Sequence, residues 1–295
     1  MATKQLTLPG PDVKKHNDLV RSKINLDSLQ GSRILAALIA SIQPGSTKFK
    51  ESYSVAVKSL LSDSGGGSYR QIKAICRDLG KATVEFEVKD VTNWNGDPLF
   101  VVLPFFMKVK YHKGIVEAQF NPSSEIADCL LALNAHFTAV NLIEYLRLPS
   151  LYSQRIFEIL MSWKRTHQEV EIPLADLHQW LNVPESFKAN FKEFRRWVLE
   201  KAHKDIHDST DLEFVWEPVK QGRGVAAVRF IFSPGRRVEA AAAGKKRAQE
   251  KKSKANNDLM QMAYACFEKK AGVCAQPVNK PKVCALCLEY YLPQS

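Results

Sequence analysis

Residues 150–234 read SLYSQRIFEILMSWKRTHQEVEIPLADLHQWLNVPESFKANFKEFRRWVLEKAHKDIHDSTDLEFVWEPVKQGRGVAAVRFIFSP, and the order of pieces within them decides the fold. Apolar spacing over 151–163 predicts an amphipathic helix, followed by a short β-prone piece, Val170-Glu171-Ile172-Pro173. A capped second helix is expected over 174–181. Asn182-Val183-Pro184-Glu185 then turns the chain into a long basic-aromatic helix beginning near Ser186. In that helix Phe187, Phe191, Phe194 and Val198 recur at spacings of four, three and four, which is one stripe, while Lys188, Lys192, Arg195 and Arg196 fall on the other side. A β-hairpin closes the unit. Leu212, Phe214 and Trp216 alternate on its first strand, Val228, Phe230 and Phe232 on its second, and its tip is Lys220-Gln221-Gly222-Arg223-Gly224.

Helix, helix-turn-helix and hairpin in one continuous run is the element order of a DNA-binding winged helix. The long helix has the section to enter a major groove, where Lys188, Lys192, Arg195 and Arg196 reach guanine edges or phosphates. Ser186 is placed to cap that helix and to turn its N-terminal amides toward a phosphate. The hairpin tip is basic through Lys220 and Arg223, which suits backbone or minor-groove contact; a plain β-turn accounts for its glycines equally well.

The same order recurs upstream, in pattern rather than residue by residue. Ile34, Leu35, Leu38, Ile39 and Ile42 have helical spacing, ended by Pro44-Gly45. A short strand is expected over 49–53, then a helix capped by Ser54 and carrying Val55, Val57, Leu60 and Leu61, then a Ser/Gly turn over 62–68. The helix predicted over 69–79 lines up Arg70, Lys73 and Arg77 opposite Ile72, Cys76 and Leu79. Three basic residues on a helix face suit DNA contact, and they also suit a merely solvated face. β-prone runs follow at 83–89, 99–110 and 115–120, the last two joined by Tyr111-His112-Lys113-Gly114. Residues 29–120 and 150–234 therefore read as two domains of one kind. Residues 125–148, mostly helical in pattern, connect them, and the polar stretch 1–27 reads as a flexible arm.

Beyond Pro234 the composition changes to an Ala/Lys-rich, low-complexity linker. From Arg236 onward there are twelve basic and five acidic residues, so this tail holds seven of the chain's eleven net positive charges. The 295 residues suffice for two domains and a tail. A composition of 45% hydrophobic and 25% charged residues is that of an ordinary globular protein, and the basic surplus favours a polyanionic partner. No apolar run has the length of a membrane span and the start is polar, so the expectation is a soluble cytoplasmic protein with no membrane partner.

Certain segments resemble a known family. Leu148-Pro149-Ser150-Leu151-Tyr152-Ser153-Gln154-Arg155-Ile156-Phe157-Glu158-Ile159-Leu160 is similar to the helix opening the second domain of theta-type, iteron-binding plasmid replication initiators. Phe194-Arg195-Arg196-Trp197-Val198-Leu199-Glu200-Lys201-Ala202-His203-Lys204-Asp205-Ile206 continues the likeness, as do Lys220-Gln221-Gly222-Arg223-Gly224 and Phe230. The first domain is similar more loosely, around 18–42 and 69–79, and the likeness covers about 13–234. Trp197 stands where a smaller or basic residue is usual in the family, and 93–98 looks like a longer loop.

The resemblance implies an α+β protein of two tandem winged-helix domains followed by a basic, flexible C-terminal tail. The organisation expected is an arm at 1–27, a first winged helix at 28–137 for dimerisation and DNA contact, a second at 138–235 for the main DNA recognition, and a linker and Cys-containing tail at 236–295. Carried over by position, Ser186, Lys188, Asn190, Lys192, Arg195 and Arg196 make the main contacts. The function implied is binding of direct repeats in double-stranded origin DNA, opening of the adjacent duplex, and recruitment of a host initiator and replicative helicase, with chaperones as further partners. The resemblance also implies that a dimer, formed through the first domain, represses the protein's own promoter. A transcriptional regulator of the same fold is the alternative, because both need the same recognition surfaces.

Catalytic patterns are missing from the sequence. No GxxxxGK[ST] occurs, Gly65-Gly66-Gly67 reads as a flexible turn, and His167, His178, His203 and His207 form no close metal pair. A nuclease or relaxase needs such a cluster beside a reactive tyrosine, and Tyr290-Tyr291 is isolated, so a non-enzyme is expected. Six cysteines without an export signal argue for reduced thiols or a metal site. Cys284-Ala285-Leu286-Cys287 has zinc-gripping spacing, and Cys266 and Cys274 complete a four-thiolate set; thiols without metal are the other reading. Cys76 and Cys129 sit in apolar helical contexts and read as core.

Overall fold

The first departure from expectation comes at the N-terminal stretch. In the computed structural model, which describes residues 12–57, 60, 69–92 and 98–233, the polar run expected to be a flexible arm is folded from residue 12. Asp12–His16 is a strand (β1), Asn17–Val20 a short helix (α1) and Lys23–Asn25 a second strand (β2). Val13, Leu19 and Val20 are buried. Three apolar residues suffice because β1 lies antiparallel to a strand far along the chain, with Val13 opposite Val140.

Leu29–Ala40 (α2) is buried from Gly31 onward, and its buried polar side chains find partners inside, Ser32 with the Tyr145 hydroxyl at 2.8 Å and Arg33 donating to the Leu148 carbonyl at 3.3 Å. Ser28 caps it by accepting from the Gly31 N–H at 3.0 Å. A Cβ on Gly31 would sit 3.1 Å from Leu26 and 3.3 Å from the Asp78 carboxylate, so glycine lets the next helix approach closely. Tyr53–Ala56 is a strand (β3) where a helix capped by Ser54 was expected, with Tyr53 and Val55 turned inward. Alternation with period two wins there over the weaker helical spacing. Leu61 and the 62–68 turn lie outside the described residues. Tyr69–Lys81 (α3) is the helix expected, with Ile72 and Leu79 in the core.

The single strand expected over 99–110 is two. Thr83–Thr92 (β4) and Pro98–Pro104 (β5) pair beside β2, whereas Phe106–His112 (β6) and Ile115–Phe120 (β7) pair beside β3. The chain changes sheets at Phe105, whose buried backbone donates to Ala82 O at 3.0 Å and accepts from Asn121 N at 2.8 Å. The stretch expected as a mostly helical connector contains Ser124–Leu130 (α4), a strand Phe137–Asn141 (β8) and Leu142–Arg147 (α5). β8 is the partner of β1.

Leu151–Lys164 (α6) follows, capped by Ser150, then Glu169–Pro173 (β9) and Leu174–Trp180 (α7). Phe214–Gln221 (β10) and Gly224–Phe232 (β11) form the closing hairpin. The two modules share one connectivity, since their sheets run β3-β7-β6 and β9-β11-β10. Each hairpin ends in a two-residue turn that suits twisted strands. In the first, Lys113 and Gly114 both have positive φ; in the second, only Gly222 does, at its leading position.

α6 serves both modules. It packs on α1 and β8 on one side and on β9 and the helix ending at Ser209 on the other, and Ile156, Phe157, Ile159 and Leu160 are all buried. Cys76 and Cys129 belong to this apolar interior, and burial pushes the Cys129 thiol up to about 12. Such a thiol stays protonated and unreactive.

Candidate nucleic-acid interface

The long helix expected from Ser186 is interrupted. Glu185–Ala189 is a short helix (α8) whose cap is Pro184, so Ser186 lies exposed in its first turn and does not cap it. At Asn190 the backbone leaves the helical region (φ −135°, ψ 93°), and the Asn190 Oδ1 accepts from the N–H groups of Lys192 at 3.1 Å and Glu193 at 3.4 Å. A new helix starts there: Phe191–Phe194 (α9), a π-helical segment Arg195–Glu200, and Lys201–Ser209 (α10), helical without a break over 191–209. The amides expected to face a phosphate near Ser186 are thus, at the start of this run, engaged by Asn190. The signal was in the sequence, as Asn190 with Glu193 three residues on has the spacing of a capping box.

Core packing explains the π-helical segment. Phe194, Val198, Ala202 and Ile206 recur at a strict spacing of four and are all buried. At 3.6 residues per turn that stripe would drift around the helix. A wider π turn returns it to the same side and brings Leu199 inward as well. Phe194 anchors the run, fully buried, with the His178 ring of α7 edge-on at 4.5 Å and Phe191 at 6.3 Å.

The opposite face is open. Lys188, Lys192, Arg195 and Arg196 are all exposed. Lys192 has no acidic partner among the described residues. Lys188 pairs with Glu185 at 2.6 Å, and Arg195 donates from Nε to Glu200 at 2.8 Å while lying over the Trp216 ring of β10. Exposed pairs of this kind are worth about 0–1 kcal/mol, so a phosphate displaces the carboxylates readily. Arg196 stacks on Trp197 at 5.1 Å, and the Trp197 Nε1–H donates to Glu193 at 2.8 Å. Trp197 is half exposed at the centre of this face, and sequence reading had not counted it among the contacts. An exposed aromatic ring next to an arginine can meet a thymine methyl.

At the hairpin tip Lys220 and Arg223 are exposed, and a register shift between Val219 and Lys220 re-aims the strand just before the turn. In the first module Arg70, Lys73 and Arg77 are exposed on α3 as expected. Sequence reading missed that module's own hairpin, where Lys108, Lys110 and Lys113 are exposed along β6 and its turn. Its signal was the alternation Lys108-Val109-Lys110 leading into a Lys-Gly turn. The four tail cysteines expected as zinc ligands, with the linker, residues 1–11 and the 93–97 loop, lie outside the described residues.

Beneath the recognition helix His178 is buried, and burial, with Lys188 nearby, lowers its pKa below 6.5. A depressed value means the folded state resists protonation. Stability is therefore full above pH 6.5 and is lost as pH falls through the folded-state value. Thermal melting of the wild type is expected to weaken below pH 6.5 more than that of His178→Phe, which cannot titrate. Parallel pH profiles for the two proteins would clear His178 of the effect.

Comparison with known proteins agrees with this architecture. A family model described as Initiator Replication protein, WH1, matches residues 12–161, and one described as Initiator Rep protein, WH2, matches residues 173–232. Among solved structures the chain is similar to the Pi initiator protein in complex with iteron DNA, with 18% identity and a TM-score of 0.59 over 77% of this chain and 98% of that one. It is also similar to domains 2 and 3 of RctB, at 12% identity and a TM-score of 0.38 over 79% of this chain and 94% of that one. No curated protein matches the chain.

Proposed function

The chain belongs to the initiator replication protein family, and from that premise we propose that it is a plasmid replication initiator that binds origin repeats through both winged helices. The observation that carries the reading is the open face of the 191–209 run, where Lys192, Arg195 and Arg196 meet solvent over a fully buried Phe194. The Pi protein, solved on iteron DNA, has this fold and supports iterons as the DNA bound. The protein acts by binding and distorting DNA rather than by catalysis. It works in the cytoplasm, where its DNA is, and among the described residues no helix is long and apolar enough to cross a membrane.

Origin opening follows binding: with the protein on its repeats, neighbouring AT-rich thymines become reactive to permanganate. Tight binding that leaves those thymines unreactive would make the protein a transcriptional regulator instead. Recruitment of a host initiator and helicase, with chaperone help, belongs to the same reading.

A second copy is the partner for autorepression. β5 is an edge strand, and its Leu99, Phe100 and Val102 are 45%, 55% and 45% exposed, an apolar edge suited to pairing with its like. Phe100→Asp is expected to sediment as a monomer at concentrations where the wild type dimerises. A Phe100→Asp chain that dimerises as the wild type does would move the interface elsewhere.

A further inference from the structure

α6 carries two buried charged side chains that DNA contact does not explain, Arg155 and Glu158. Arg155 donates from Nη2 to the carbonyls of Val20 at 3.0 Å and Ser22 at 2.8 Å, between α1 and β2, and to that of Trp180 at 3.3 Å, at the end of α7. Its Nη1 donates to Glu158 at 3.0 Å, and the other Glu158 oxygen accepts from the buried Lys15 of β1 at 2.5 Å. One guanidinium thus joins the N-terminal segment of the first module, the shared helix and the supporting helix of the second.

Arg21 makes a different bridge. It donates to the Ser162 Oγ and carbonyl at 3.1 Å each and stacks on Trp163 at 3.5 Å, which fixes the first module to α6 without reaching α7. α7 matters because its His178 lies against Phe194, under the recognition helix. Buried ionic clusters add little net stability, and apolar replacements of equal volume are often neutral or better. What a planar, multidentate group supplies is fixed orientation, which a lysine ammonium does not reproduce.

We propose that Arg155 is a positioning residue that sets the spacing at which the two winged helices meet one DNA duplex, by holding α7 in register with the first module. This rests on the DNA-binding reading above. Two linked modules gain over either alone only when both can engage at once, by about 100-fold or more.

The test uses the full chain and a duplex it enriches from a random-sequence pool, with the two half-sites mapped by hydroxyl-radical footprinting. Affinity is measured on the whole site, on the half-site of the second module, and on sites with base pairs inserted between the halves. Wild type is expected to favour the whole site and to lose that preference with each insertion. Arg155→Lys is expected to keep half-site affinity, to lose about 100-fold on the whole site, and to become indifferent to insertions. The triple variant Lys15→Met/Arg155→Met/Glu158→Met removes the charges together, leaving none buried alone, and is expected to match it. Variants that keep the wild-type spacing preference overturn the proposal. Half-site and whole-site affinity falling together overturn it too, because Arg155 is then a folding residue only. A wild-type chain that enriches no duplex removes the DNA-binding reading itself.

Discussion

Phe194→Ala is expected to destabilise the second module by about 3–5 kcal/mol, the range for emptying a buried aromatic site. Small domains have only about 5–15 kcal/mol to lose, so much of the recognition surface becomes disordered at modest denaturant concentrations. The effect is large because Phe194 is fully buried between α7 and the rest of the apolar stripe, with His178 and Phe191 against its ring. Phe194→Leu keeps most of the volume and loses about 1–2 kcal/mol. Urea melts followed by near-ultraviolet circular dichroism measure both. If the alanine variant melted like the leucine one, the recognition helix would not depend on this anchor.

Arg196→Ala is expected to weaken binding to the repeat by about 5- to 150-fold, corresponding to a lost base contact of roughly 1–3 kcal/mol. Arg195 is partly committed to Glu200 and Trp216, whereas Arg196 is exposed, with its guanidinium over the Trp197 ring at 5.1 Å and no carboxylate paired with it among the described residues. Arg77→Ala, on the first module, is expected to lose only a few-fold, as one phosphate contact among several. The salt dependence separates the two roles. Each phosphate contact contributes about −0.9 to the slope of log affinity against log salt. Arg77→Ala should flatten that slope by about one unit while leaving sequence preference intact, and Arg196→Ala should do the reverse. Filter binding at several salt concentrations, on the selected repeat and on a base-substituted one, reads both numbers. Equal losses for the two substitutions would mean that the second module does not dominate.

Local sequence determined most of the second module in advance, because its helix, supporting helix and hairpin lie within one uninterrupted stretch, each with its own period and turn residues. The alternating residues of β10 and β11 and the stripe through Phe194 and Val198 fall where their spacing predicts. The N-terminal segment was illegible for the opposite reason. Its strand is stabilised by Phe137–Asn141, more than a hundred residues away, and nothing local to Val13 announces that pairing. The break at Phe105 was hidden inside one β-prone run, since propensity does not say which sheet a residue joins. The buried Arg155 and Glu158 were visible only as charges on an amphipathic helix, because burial depends on what docks against them. At the interface the exposed cations were legible, whereas the switch of cap from Ser186 to Asn190 required weighing two short helices against one long one.

The widened turn at Arg195–Glu200 takes up about one residue more than an ordinary helix would between the segments on either side of it. Shortening the run by a single codon within that segment would let it relax to regular geometry, with the anchoring stripe reseated through modest repacking. Side chains beyond the deletion would keep their direction along with the stripe, while the outward positions within 195–200 would pass to different residues. Relatives of this protein could therefore acquire new repeat sequences through single-residue insertions and deletions, with the scaffold left whole, rather than through stepwise replacement of the amino acids that touch the bases.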